Sequence, residues 1–387
     1  MRIGIIAEFN PLHSGHKYLI ECARSIADEN NGEVICVMSE FFTQRGEVAI
    51  VDGYTRAREA VRRGCDMVIA LPYLGSVAYG DDFAKKSIEI LSAAGITHLI
   101  FGTENKDVSI FEEIYTKQQK LNKEEYKKLL KTGLNHAKIS SVLYGLENNN
   151  PNFSLAYSYY KAIRGAGLNI QMIPIKREGQ GLNSSNISGE VHLSATTIRN
   201  NINDEKIEKY LSKEMLIDLR KENIALESEL FLYLKYKILS LGKEGIKKIY
   251  DVSEGLENRI YEVALKVENY RNLVNSIATK RYSNKRIQRV LLHILTNTTK
   301  EDYKENFSTN NFRVLAVKKD KAAIIREINR SGKIILHPLL NSKNSMNSPV
   351  SAFEFLARKE INYDNLSEFV ETVELSDLAK EQVEINA

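Results

Sequence analysis

The N-terminal part of the chain alternates short apolar runs with amphipathic segments, and this alternation restricts its fold more than any other feature. Apolar runs over 2–7, 33–39, 67–71 and 98–102 have the length of buried strands. Apolar residues at helical spacing predict helices over 14–29, 55–64 and 81–94. Interleaved strands and helices predict an α/β fold with a Rossmann-like, doubly wound parallel sheet. Ligands of such sheets bind beyond the carboxyl ends of the strands.

The first predicted strand ends in a turn that leads directly into a helix, and the turn contains the pattern H-x-G-H. A helix N-terminus presents unpaired backbone N–H groups to phosphate oxygens, and Gly15 permits a close approach. His13 and His16 can donate hydrogen bonds to a nucleotide and stabilise charge on its α-phosphate. Taken alone, the pattern fits capping or surface histidines equally well. Its position between strand and helix favours a nucleotide site.

This segment resembles the H-x-G-H signature of the nucleotidylyltransferase and class I aminoacyl-tRNA synthetase superfamily. Nucleotidylyltransferases add a second motif, I-S-S-T-x-I-R, and residues 193–199 read L-S-A-T-T-I-R. Hydroxyl and guanidinium groups at a helix start suit β- and γ-phosphates, although a helix cap gives the same pattern. The resemblance implies catalytic roles for His13, His16, Ser194, Thr196 and Arg199.

Motifs in both halves are similar to those of the bacterial tRNA(Met) cytidine acetate ligase family. They are 7–16, 43–47, 101–104, 151–152, 175–177, 254–260, 279–283 and 286–289. In that family ATP and acetate form acetyl-adenylate, and the acetyl group passes to N4 of the wobble cytidine of elongator tRNA(Met). The resemblance implies ATP as a substrate, with Mg²⁺, and no protein metal site. It places ATP against Ala7, Glu8, Phe9, Asn10, Pro11, His13, Gly15, His16, Gly102, Asn152 and Arg177.

The chain departs from the family pattern at several places. Glu40 and Phe41 replace a glycine and an asparagine, the loop 71–76 differs, and the tail after 343 matches nothing. A carboxylate at Glu40 would repel acetate if it faced the acid pocket. The sequence therefore leaves the acid open between acetate and another short carboxylic acid.

Beyond residue 203 the sequence predicts mostly helix, over 227–241, 256–267 and 283–295. The net charge of +4 says little by itself, but no acid interrupts the cations of 279–289. One interpretation is that this basic stripe binds the phosphate backbone of RNA while Tyr282 stacks on a base. The alternative is a charged helix face that is simply exposed to solvent. The expected tRNA contacts are Arg259, Lys280, Arg281, Lys285, Arg286 and Arg289.

The predicted organisation is a catalytic domain over 1–203 and a mostly helical, tRNA-binding domain over 204–387 with a small βαβ appendage near 312–338. Residues 117–131 are predicted to form a solvated helical insertion. No apolar run has the length of a membrane span, and the three scattered cysteines indicate a reducing compartment, so we expect a cytoplasmic protein. No stable protein partner is predicted.

Two other functions fit parts of the pattern. A nucleotidylyltransferase acting on a small phosphorylated substrate would share both motifs, but such enzymes are usually compact single domains. An RNA-binding module with a vestigial nucleotide site would not need intact His13, His16, Ser194, Thr196 and Arg199.

Overall fold

The predicted alternation of strands and helices is confirmed. The structure is a computed structural model that describes residues 1–104, 107–120, 128–129, 132, 139, 151–176, 192–220, 227–253 and 255–337. In the N-terminal part, each predicted element is present to within two residues at either end. The elements are β1 (Arg2–Ala7), α1 (Ser14–Asp28), β2 (Glu33–Ser39), α2 (Gly53–Arg63), β3 (Met67–Leu71), α3 (Tyr73–Ser76), α4 (Gly80–Ala93), β4 (His98–Thr103), α5 (Ser109–Gln119), α6 (Pro151–Gly165), β5 (Gln171–Lys176) and α7 (Ala195–Asn200).

The remaining elements are mainly helical, as expected. After a 3-10 turn at Glu205–Tyr210 they are α8 (Lys213–Arg220), α9 (Phe231–Lys248), α10 (Leu256–Lys266), α11 (Tyr270–Ile277), α12 (Asn284–Leu295), α13 (Lys300–Asn306), β6 (Asn311–Val317), α14 (Ala323–Arg330) and β7 (Ile335–His337). Most of the predicted insertion at 117–131, and the tail after 343, lie outside the described residues.

The strands form one seven-stranded sheet in the order β5-β4-β1-β2-β3-β6-β7. Neighbours from β5 to β3 run parallel. Ile35, Cys36 and Val37 of β2 are fully buried, because helices cover both faces of the sheet. Burial on both faces explains why these strands are continuous apolar runs and not alternating ones. The parallel strands direct their carboxyl ends to the edge where the H-x-G-H turn lies.

The sequence did not predict β5 or the helix α6 before it. Strand β5 is only partly buried and contains Pro174, which cannot donate to a strand ladder. Proline is tolerated in β5 because this strand lies at the edge of the sheet.

The βαβ unit is present, but its position corrects the prediction. Strands β6 and β7 are parallel neighbours joined through α14. Strand β6 also pairs antiparallel with β3, with Val68 opposite Ala316, so the unit extends the main sheet. It shares the core of the N-terminal part and does not belong with the helices of the second half. Pairing between strands so distant in sequence leaves no local signal. The domain boundary at residue 203 stays a prediction.

Helices α9 to α12 pack around a second core that includes Ile238, Ile260 and Ile287. A third, smaller cluster joins them to the sheet, with Phe42 packed near Leu292. Beside it, the Tyr73 hydroxyl lies 3.0 Å from His293 Nδ1, which fixes α12 against α3. Burial, and then the charge of a nearby arginine, lower the pKa of His293 to about 3, so this imidazole is neutral. Within the described parts of the chain, no helix combines the length and the apolar character needed to cross a membrane.

Candidate active site

A cavity of about 540 Å³ lies where the carboxyl ends of β1, β4 and β5 meet the helical half. The turn after β1 lines it, together with the loop 43–47 and the starts of α4, α6, α7 and α12. Both sequence motifs therefore meet at a single cavity, and its volume is typical of small-molecule and cofactor sites.

Nine of the residues that the family resemblance assigned to ATP line this cavity. Pro11 does not line it and is buried, and Arg177 lies outside the described residues. The nine are Ala7, Glu8, Phe9, Asn10, His13, Gly15, His16, Gly102 and Asn152.

The two motif histidines cap helix α1 through the same ring atom. His13 Nδ1 accepts a hydrogen bond from the backbone N–H of Gly15 at 3.1 Å, and His16 Nδ1 accepts one from the N–H of His13 at 3.4 Å. Each neutral imidazole therefore carries its proton on Nε2. The ring centroids are 3.8 Å apart, so the structure holds two N–H donors side by side at the cavity. Capping and phosphate binding are thus compatible uses of these rings.

Helix α7 carries the second motif, and its residues have different positions. Ser194 is 1% exposed and does not line the cavity; its Oγ accepts a hydrogen bond from the N–H of Thr197 at 3.0 Å. Ser194 is therefore the N-cap of α7, and its predicted contact with phosphate stays a prediction. Thr196 and Arg199 do line the cavity, and their catalytic roles stay a prediction.

Arg199 links the two motifs directly. Its Nη1 donates to the backbone carbonyl of Asn10 at 2.7 Å, and its Nη2 lies 3.3 Å from Thr196 Oγ1. The same Nη2 is 3.7 Å from a carboxylate oxygen of Glu47. Burial lowers the pKa of Arg199, but a guanidinium starts so high that it stays charged.

Glu47 lies between two cations at the cavity. Its Oε1 is 2.6 Å from Lys285 Nζ of α12, and its Oε2 faces Arg199. Burial opposes ionisation of Glu47, but Lys285 and then Arg199 outweigh it and hold the pKa of this carboxyl below its usual range. Glu47 is therefore an anion at neutral pH.

The loop 43–47 is held on both sides. Glu8 accepts a hydrogen bond from the N–H of Gln44 at 2.5 Å, and burial raises the pKa of Glu8. On the other side, Gly46 has a φ of +72°, and a Cβ at this position would lie 2.5 Å from the backbone nitrogen of Arg289. Only glycine suits this combination of conformation and close approach. The loop thus connects the H-x-G-H turn to α12.

The predicted basic stripe is largely paired with acids or backbone groups from other parts of the chain. Lys285 pairs with Glu47, Arg286 lies 2.8 Å from Asp251, and Arg289 is 6% exposed. Arg259 donates to the carbonyl groups of Ser276 and Ile277 at the end of α11. The stripe is therefore not an unopposed basic surface. Of the six expected tRNA contacts, the exposed ones are Arg259, Lys280 and Arg281.

Tyr282 is 8% exposed, which contradicts its expected stacking on a base. Its ring packs in the second core, its hydroxyl lies 3.0 Å from Ser253 Oγ, and the guanidinium groups of Arg281 and Arg286 lie over the ring.

Glu40 does not line the cavity. It is 5% exposed, and its Oε2 forms an ion pair with Arg313 of β6. A Cβ at Gly53 would lie 2.7 Å from Glu40 Cγ, so glycine at the start of α2 makes room for this side chain. Phe41 packs in the cluster that joins the two halves. Glu40 and Phe41, the two departures from the family pattern, therefore contribute to packing and ion pairing outside the cavity.

Among the described residues, no group of three or more His, Cys, Asp or Glu side chains is arranged to hold a metal ion. Magnesium in nucleotide sites is held mainly by phosphates and water, with one or two carboxylates. Asp81 and Glu47 are carboxylates at this cavity.

Comparison with known proteins identifies the family. The family model "HIGH Nucleotidyl Transferase" matches residues 1–381, which corrects the expectation that the tail after 343 matches nothing. A tRNA(Met) cytidine acetate ligase of Oceanobacillus iheyensis is 32% identical over 366 residues, which cover 89% of this chain and 90% of that protein. The chain belongs to the tRNA(Met) cytidine acetate ligase family. A second member, from Streptococcus pneumoniae serotype 19F, is 35% identical over 317 residues, covering 80% of this chain and 83% of that protein.

Solved structures with this fold include the apo form of Thermotoga maritima TmcAL, with a TM-score of 0.79 and 25% identity over 90% of this chain and 88% of that chain. Another TmcAL crystal form, bound with alpha-thio ATP, has a TM-score of 0.76 and 24% identity over 92% of this chain and 91% of that chain. These structures agree with the Rossmann-like sheet and helical second half described above.

Sequence reasoning missed several cavity residues of this member of the family. Glu47 and Arg45 lie in a motif that carried the family resemblance but had no role assigned. His192 immediately precedes the second motif and lies 2.9 Å from Ser14 Oγ. Asp81 and Lys161 form an ion pair of 2.6 Å at the cavity. Only the first three had a signal in the sequence, which is their position within or beside a motif.

Proposed function

We propose that this chain is an ATP-dependent ligase that activates acetate as acetyl-adenylate and acetylates N4 of the wobble cytidine of elongator tRNA(Met). The observation that supports the proposal most strongly is the convergence of His13, His16, Thr196 and Arg199 at one cavity of suitable size. The names of the relatives supply the substrate, and the ATP analogue in the TmcAL neighbour supports the use of ATP.

In the first step, a carboxylate oxygen of acetate attacks the α-phosphorus of ATP, and the bond to pyrophosphate breaks. Pyrophosphate leaves with the electron pair, and negative charge grows on the phosphoryl oxygens. The Nε2–H groups of His13 and His16 are donors for that charge, and Arg199 supplies a fixed cation. Mg²⁺ would enter with the nucleotide and neutralise phosphate charge.

In the second step, the N4 amine of cytidine attacks the carbonyl carbon of acetyl-adenylate. The bond from that carbon to the phosphate oxygen breaks, AMP leaves with the electron pair, and the amine loses a proton. The exposed cations Arg259, Lys280 and Arg281 are the proposed tRNA contacts, and a cytoplasmic location follows from this substrate.

Acetate is proposed as the acid because the structure removes the one argument against it, which was repulsion by the carboxylate of Glu40. Glu40, which would have repelled a carboxylate, is buried away from the cavity. The alternative nucleotidylyltransferase with a small phosphorylated substrate has no observation in its favour, since the helical half completes this site through α12.

ATP–pyrophosphate exchange with a panel of short carboxylic acids, with and without tRNA, tests the proposal. Exchange should depend on acetate, and His16→Ala should reduce it about a hundredfold, the cost of losing one oxyanion donor. His98→Ala is the matched control, because His98 lies on β4 and does not line the cavity. Exchange at the wild-type rate in a His13→Ala, His16→Ala double variant would contradict the assignment.

A further inference from the structure

Helix α12 places two cations of the helical half in the nucleotide cavity. Lys285 and Arg289 both line it, one turn apart on the same face of the helix. Only 6% of the surface of Arg289 is exposed, and its Nη1 donates to the carbonyl of Gln44 at 3.3 Å. Burial this deep does not suit contact with the backbone of a large RNA.

A carboxylate holds Lys285 together with the motif arginine. Glu47 bonds Lys285 at 2.6 Å and faces Arg199 at 3.7 Å, so one anion lies between two cations. A polyphosphate carries more negative charge than a carboxylate and offers more acceptor oxygens. It can therefore replace Glu47 as the partner of both cations.

We propose that Lys285 and Arg289 bind the β- and γ-phosphates of ATP, and that these phosphates displace Glu47 as the counter-ion of Lys285. The inference rests on the proposed use of ATP and extends it, because it assigns part of the predicted tRNA stripe to the nucleotide. It also gives ATP a direct contact with the helical half of the molecule.

The contact of the loop 43–47 with α12 supports this assignment. Gly46 touches the backbone of Arg289, and Glu8 of the first motif bonds the same loop through Gln44. The start of α12 is thus fixed relative to the H-x-G-H turn. Lys285 and the two histidines therefore line the same cavity from opposite halves of the protein and can contact one bound ATP.

Binding of ATP and AMP to the full chain, measured by isothermal titration calorimetry without tRNA, tests the proposal. Lys285→Gln should weaken ATP binding about tenfold, as expected for a lost charge-assisted hydrogen bond. It should leave AMP binding unchanged, because AMP lacks the β- and γ-phosphates. Lys266→Gln removes the same charge from an exposed lysine of α10 outside the cavity and should not change ATP affinity.

Glu47→Gln keeps the size of the side chain and removes the competing anion. ATP should bind this variant about three- to tenfold more tightly, since Coulomb attraction between Lys285 and the phosphates is no longer opposed. The gain should shrink in the Lys285→Gln background because the two residues act as a pair. Arg289→Lys, which keeps the charge but not the geometry, should weaken ATP binding less than Lys285→Gln.

Unchanged ATP affinity in Lys285→Gln, equal loss of ATP and AMP, or weaker ATP binding in Glu47→Gln would each overturn the proposal. If Lys285→Gln binds ATP normally but its tRNA binding depends less on salt, Lys285 contacts the tRNA and not the ATP. Wild-type protein that binds ATP without acid-dependent exchange contradicts the proposed ligase activity and leaves this inference standing.

Discussion

Glu227 is a partly buried residue behind the active site, and its carboxyl group should make the protein less stable as the pH rises towards neutrality. Its Oε1 accepts a hydrogen bond from the backbone N–H of Val48. Burial, with a smaller effect from the neighbouring anion Glu47, raises the pKa of Glu227 from 4.5 to about 7. Between these two values the folded protein keeps a proton that the unfolded chain has lost. The contribution of Glu227 to stability is therefore complete below pH 4.5 and is lost as the pH passes 7.

The magnitude follows from the difference between the two pKa values, at about 1.36 kcal/mol for each pH unit. It amounts to about 3 kcal/mol over the whole range, and to about 2 to 3 kcal/mol between pH 5 and 8. Glu227→Gln keeps an acceptor for Val48 and removes the titration. The free energy of unfolding of this variant should therefore depend less on pH than that of the wild type.

Urea unfolding at pH 5, 6, 7 and 8 measures this difference. The wild type should be about as stable as Glu227→Gln at pH 5 and should become the less stable of the two, by about 2 to 3 kcal/mol, at pH 8. Glu229→Gln, at an exposed glutamate two residues away, should follow the wild type at every pH. Parallel curves for the wild type and Glu227→Gln would refute the assignment of a raised pKa to this residue.

Two further substitutions test the structural roles of Gly46 and Glu40. Gly46→Ala should lower the free energy of unfolding by about 1 to 3 kcal/mol, because its φ is +72° and the new Cβ would meet the backbone of Arg289; urea unfolding and the KM for ATP, which should rise, check this. An unchanged stability would mean that α12 can move away. Glu40→Gln should cost about 2 kcal/mol by weakening the pair with Arg313, yet leave the KM for acetate within about twofold. A large change in that KM would place Glu40 in the acid pocket after all.

The parallel part of the fold could be predicted because each of its strands is a local, continuous apolar run. Strand β5 escaped prediction because it is an edge strand with a central proline, so it has neither the apolar run nor the alternation of a buried strand. The place of β6 escaped prediction for a different reason. Its own residues show that it is a strand, but only tertiary packing selects β3 as its partner.

The candidate site divides in the same way. His13, His16 and Arg199 belong to motifs whose spacing indicates their chemistry, and the cavity contains all three. The prediction of an unopposed basic stripe on α12 was wrong because the acids that pair with it, Glu47 and Asp251, are far away in sequence. A charge pattern read along one helix cannot reveal partners that other elements bring to it. Ser194 illustrates a further limit, because a capping hydroxyl and a phosphate ligand have the same local sequence.

Transfer of labelled acetate to tRNA is the measurement that tests the central claim most directly. The full chain is incubated with ATP, Mg²⁺, labelled acetate and elongator tRNA(Met), and the nucleosides of the tRNA are then separated. The account predicts label in N4-acetylcytidine at the wobble position, dependent on ATP and lost in His16→Ala. Labelled acetyl-adenylate without any acetylated cytidine, or no incorporation in the presence of bound ATP, would contradict it.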